Sequence, residues 1–203
     1  MKRYPLVPFG NAVFDLEIEC SIERRANMLA VSFELAGDLA SLDIPRSVPT
    51  PSRQDRLWED TCFEFFIAPK NSPQYWEFNL APSGHWNVYH LDSYCKGLRA
   101  EPAVTTLPFA VRRQPDLLSV DLEVELDKFV QADEPIQMAI SAVVKQHAAR
   151  DTVTYWALKH CGAQPDFHLR DSFILDLWQT SRRLWNLGEV VSFFYVTARL
   201  LDH

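Results

Sequence analysis

The stretch 55–86 constrains the fold more than any other part of the chain. Two short runs rich in aromatic and β-branched residues, Thr61-Cys62-Phe63-Glu64-Phe65-Phe66-Ile67 and Tyr75-Trp76-Glu77-Phe78-Asn79-Leu80, are separated by a connector holding Pro69 and Pro73. Pro82-Ser83-Gly84 follows, and then Trp86-Asn87-Val88-Tyr89-His90-Leu91. Runs this short, bounded by turn residues, read as strands rather than helices. Together they predict an antiparallel meander. Side chains alternate across a strand, so Phe63, Phe65, Ile67, Trp76, Phe78 and Leu80 are expected on one face. Glu64, Glu77 and Asn79 are expected together on the other.

Acids, an amide and flat rings on otherwise apolar strands point to a ligand. Rings offer stacking surfaces, while carboxylates and amides bond hydroxyl groups. The mixture suits a neutral, polyhydroxylated molecule. The competing reading is an outer sheet face bathed in water.

The same strand grammar recurs along the chain. Residues 14–22 alternate apolar and polar without a break, and Leu29, Val31, Phe33 and Leu35 repeat the pattern after a turn, predicting a hairpin. Pro45, Pro49 and Pro51 make 39–52 a loop. Further strands are expected over 109–112, 118–126, 137–144, 153–158 and 173–177, with 90–100 a loop and a short helical turn near 128–132. About ten strands, with no long amphipathic helix, predict an all-β fold: an antiparallel β-sandwich of jelly-roll or immunoglobulin-like type. Residues 1–177 would form this single domain. Residues 178–203 would be an apolar C-terminal extension, packed on the domain or docking a partner, and too short to span a bilayer.

Composition narrows the function. Of 203 residues, 47% are apolar and 12% aromatic, enough for one sizeable core. A net charge of −7 and no clustered basic patch argue against nucleic acid. The first residues lack the apolar run of a signal peptide, so a cytoplasmic location is expected. Cys20, Cys62, Cys95 and Cys161 form no CxxC pair, which predicts reduced, mostly buried thiols and no structural zinc. Catalytic signatures such as GxSxG, HExxH and the P-loop are absent. Glu64 with Glu77, Asp166 with His168, and His160 with Cys161 and His168 are the candidate glycosidase pair, acid–base pair and metal ligands. A structural role, with Asp166 capping a turn, is preferred, and no enzyme activity or metal is expected.

Leu57-Trp58-Glu59-Asp60-Thr61-Cys62-Phe63-Glu64-Phe65-Phe66, Tyr75-Trp76-Glu77-Phe78-Asn79 and Pro82-Ser83-Gly84-His85-Trp86 resemble motifs of the bacterial DOMON-like proteins, which are related to the family 9 carbohydrate-binding modules. Tyr155-Trp156-Ala157-Leu158, Pro165-Asp166-Phe167-His168 and Ser172-Phe173 resemble the closing motifs of that group, so the likeness runs over about 6–177. It implies a β-sandwich whose concave face binds a carbohydrate, without catalysis. Trp58 would stack on the sugar, and Glu64, six positions on, would bond its hydroxyls with help from Glu77 and Asn79. Trp156 or Phe167 would supply a second ring, with His168 beside it. No cofactor is required, although other DOMON domains bind haem through an axial Met and His, for which Met28 and Met138 are the candidate methionines.

Overall fold

The structure, a computed structural model, describes residues 1–10, 15–131, 134–147 and 153–178. Thirteen strands among them form two antiparallel sheets, stacked as a sandwich. The strands are β1 (Lys2–Pro5), β2 (Val7–Pro8), β3 (Leu16–Arg25), β4 (Met28–Gly37), β5 (Cys62–Pro69), β6 (Tyr75–Leu80), β7 (Trp86–Leu91), β8 (Arg99–Ala100), β9 (Phe109–Arg113), β10 (Leu117–Glu125), β11 (Ile136–Lys145), β12 (Val153–Ala157) and β13 (Leu175–Leu177). The smaller sheet runs β1-β3-β4-β10-β9. The larger runs β2-β12-β11-β5-β6-β7-β8, with β13 pairing to the far end of β11.

Alternation decides what lies between the sheets. In β3 and β4 the inward residues are apolar, among them Ile18, Ile22, Val31, Phe33 and Leu35. They meet Phe63, Phe65, Phe78, Met138 and Ile140 from the larger sheet. Phe65 stacks on Phe78 with ring centroids 4.3 Å apart, and Phe33 lies 5.1 Å from Phe63. Arg24 is the inward polar exception. It sits at the sandwich edge, donating to the carbonyls of Glu134 at 2.8 Å and Leu177 at 3.2 Å, so its buried charge is solvated by backbone oxygens.

Every residue of β5 and β6 is buried. One face of these central strands lies on the core. The other carries a second apolar cluster around Phe66, Tyr75, Tyr89 and Phe173. The meander, the β3–β4 hairpin and the predicted faces of β5 and β6 are all present.

The departures are at the margins. β1, β2 and β8 have two to four residues, too few to show an alternation, and are held only by a neighbour's free edge. The helical turn falls at Leu126–Lys128, slightly before its expected place. The strand expected over 173–177 begins at Leu175, because Arg170–Ser172 turns first. The extension after Trp178 lies outside the described residues. No helix among them is long and apolar enough to cross a membrane.

Phe65 is fully buried against Phe78. Phe65→Ala should cost about 3–5 kcal/mol of stability, read as a lower urea midpoint.

Candidate ligand-binding site

The face of the larger sheet that points away from the core carries a row of polar side chains. Register aligns Ser141 with Glu64, Glu64 with Asn79, and Asn79 with Asn87, across β11, β5, β6 and β7. The adjacent row holds Ala139, Phe66, Glu77 and Tyr89. Glu64 and Glu77 are therefore diagonal neighbours on one face. This face is not bathed in water: Glu64 is 2% exposed, Glu77 5% and Asn79 0%. Residues from three other segments cover it.

The first cover is the turn Leu57–Glu59, which presents Trp58. The chain just before it is anchored firmly. Arg53 lies over the Trp86 ring at 4.6 Å and donates to Asn87 Oδ1 at 2.8 Å. Asp55 Oδ1 accepts from Tyr89 at 2.8 Å and Asn87 at 3.0 Å. Trp58 then rests 5.8 Å from the Tyr89 ring. The second cover is the segment from Pro165 to His168, with Phe167 lying 6.2 Å from Tyr155 of β12. Leu98, from the β7–β8 connection, is the third. Between them is a pocket of about 300 Å³ with Glu64, Phe66 and Glu77 at its floor and Trp58, Tyr155, Phe167 and His168 at its walls.

The floor is electrostatically unusual. Burial pushes the Glu64 carboxyl up to about 8, the negative charge of Glu77 adds to this, and the Ser141 hydroxyl, donating to Oε2 at 3.1 Å, works against it. Burial also raises Glu77, opposed by His168 and by Asn79, whose amide donates to Oε1 at 2.8 Å. The Tyr75 oxygen accepts from the Cys95 amide at 3.3 Å and lies within hydrogen-bond distance of His168 Nδ1, at 2.9 Å. His168 Nε2 faces Glu77 Oε2 at 3.9 Å, beyond hydrogen-bond reach. Asp166 accepts from the His168 amide at 2.9 Å and from Tyr94 at 2.6 Å, capping the turn and tying this segment to the β7–β8 connection.

Five of the seven residues singled out from sequence line the pocket: Trp58, Glu64, Glu77, Phe167 and His168. Asn79 lies beneath, holding Glu77. Trp156 is a correction. It points to the opposite side of β12, 3% exposed in the core, with its indole N–H on Thr154 Oγ1 at 3.0 Å. Its neighbour Tyr155 supplies the wall instead. Strand parity separates the two residues, but only the pairing of Tyr155 with Val143 on β11 shows which side faces the pocket. Phe66, on the Glu64 face, was likewise readable from parity. Leu98 and Val143 carried no sequence signal.

The residues for the other chemistries stay apart. Met138 is buried in the core and Met28 stands at the exposed end of β4, so neither reaches the pocket with a histidine. His160 bonds the Val7 carbonyl at 2.9 Å. Among the described residues no three His, Cys, Asp or Glu side chains group as metal ligands. Cys20 and Cys62 are buried thiols, Cys161 is half-buried and Cys95 is exposed.

No family model matches this chain, and no curated protein matches it in sequence. Solved structures do share its architecture. A proposed carbohydrate-binding protein from Bacteroides uniformis superposes with a TM-score of 0.62 at 15% identity, covering 85% of this chain and 84% of the other. A family 9 carbohydrate-binding module from Caldicellulosiruptor kristjanssonii, in complex with cellotriose, superposes with a TM-score of 0.51 at 10% identity, covering 93% and 87%. At these identities the likeness is one of fold: an all-β sandwich.

The raised Glu64 carboxyl has a consequence for stability. Folded protein holds this proton up to about pH 8, whereas the unfolded chain releases it near 4.5. The folded state therefore binds more protons between those values, and stability should fall as pH rises through that window and level off above it. Glu64→Gln removes the titration. Between pH 5 and 8.5 the wild type should lose more stability than the variant in urea unfolding, by up to about 4 kcal/mol.

Proposed function

We propose that this protein is a non-catalytic carbohydrate-binding domain that holds a sugar in the pocket between Trp58 and the 165–168 segment. The observation that carries this reading is the pairing of aromatic walls with a floor of buried hydrogen-bonding groups. A pyranose presents apolar C–H faces and a rim of hydroxyls. Trp58 and Tyr155 match the faces, and Glu64, Glu77 and His168 match the rim. A cavity near 300 Å³ lies at the small end of ligand sites and favours a monosaccharide or the end of a chain. The motif resemblance to DOMON-like relatives of family 9 modules and the fold shared with a cellotriose-bound module support the same ligand class.

The carboxyl groups suit binding better than hydrolysis. A glycosidase places its two carboxyls on either side of the scissile bond. Glu64 and Glu77 are diagonal neighbours on one floor, both beneath the pocket. Neither is set across it from the other.

Stacking and hydrogen bonds of about 1 kcal/mol each imply affinities in the millimolar to high micromolar range. Intrinsic tryptophan fluorescence or calorimetry against glucose, galactose, mannose, xylose and cellobiose should find saturable binding. Trp58→Ala should weaken it by roughly five- to tenfold, with unchanged thermal unfolding. No binding of any of these sugars at tens of millimolar would overturn the proposal.

A further inference from the structure

We propose that the pocket prefers a sugar carrying a free ammonium group over its neutral counterpart. This rests on the carbohydrate reading above and narrows its ligand class. No lysine or arginine lines the pocket, whereas Glu64, Glu77 and Asp166 all do. His168 is the one basic side chain in the lining.

For a neutral sugar two amides would serve as well as two carboxyls, without the cost of taking acids out of water. A bound ammonium group offsets that cost: it takes the place of the proton that burial keeps on Glu64 and pairs with Glu77 as well. The acceptors for it are free. Among the described residues only Ser141 bonds Glu64, through Oε2, which leaves Oε1 open. Glu77 is bonded through Oε1 by Asn79, and its Oε2 has only His168 nearby, at 3.9 Å. Two carboxyl oxygens are thus available to a three-donor group. The walls add to the attraction, because a desolvated cation is drawn to the faces of aromatic rings such as those of Trp58 and Tyr155. Both Asp166 oxygens are already bonded, so it adds negative potential without needing a partner from the ligand.

The test compares glucosamine, N-acetylglucosamine and glucose by calorimetry on the intact chain, at neutral pH and fixed ionic strength. Glucosamine should bind at least about tenfold tighter than glucose, with N-acetylglucosamine no better than glucose. The glucosamine-to-glucose ratio should fall towards one in the Glu64→Gln/Glu77→Gln double variant. Equal binding of glucosamine and glucose by the wild type overturns this inference while leaving the carbohydrate reading intact. Tight binding of both substituted sugars overturns it too, since the preference would then follow the substituent's bulk rather than its charge. Persistence of the ratio in the double variant also overturns it. If none of the three binds, both readings fail.

Discussion

The burial of two carboxyl groups side by side on the central strands governs the rest of this site. Glu64 and Glu77 project from β5 and β6, strands that are covered on both faces. Removing an acid from water is costly unless it is neutralised or well bonded. The surroundings answer with both devices. Ser141 and Asn79 each donate one hydrogen bond, and burial raises the carboxyls so that they keep a proton more readily. Apolar residues would pack here more stably, so the arrangement has the character of a site that gives up stability for recognition.

The cover over these acids comes from distant parts of the chain. Trp58 is placed by an anchored connection ahead of β5, through Arg53 over the Trp86 ring and Asp55 on Tyr89. Phe167 and His168 come from the segment after β12, held by Tyr75 and by the Tyr94–Asp166 bond. The pocket therefore depends on three connections docking on one sheet face. The sandwich core beneath, stacked around Phe65 and Phe78, supplies the rigid base.

Much of the architecture was legible because parity is a local property. Two residues apart along a strand means the same face, whatever the rest of the fold does. That rule put Glu64 with Phe66, Glu77 with Asn79, and the apolar residues of β3 and β4 on their proper sides. Prolines and short runs excluded helices in the same local way. The site's first aromatic, Trp58, was flagged by its motif spacing to Glu64.

What only the tertiary structure decided is non-local. The sequence reading had Glu64 and Glu77 meeting a ligand on an open face or water on a solvated one; their burial comes from Trp58, Leu98 and the 165–168 segment docking over them, the last roughly a hundred residues further on. Trp156 looked like the second ring, yet the pairing of β12 with β11 turns it into the core and puts Tyr155 in its place. Local alternation says that neighbouring residues face opposite ways. Which way is outward depends on the sheet that the strand joins, and long-range pairing is what a single strand's sequence does not carry.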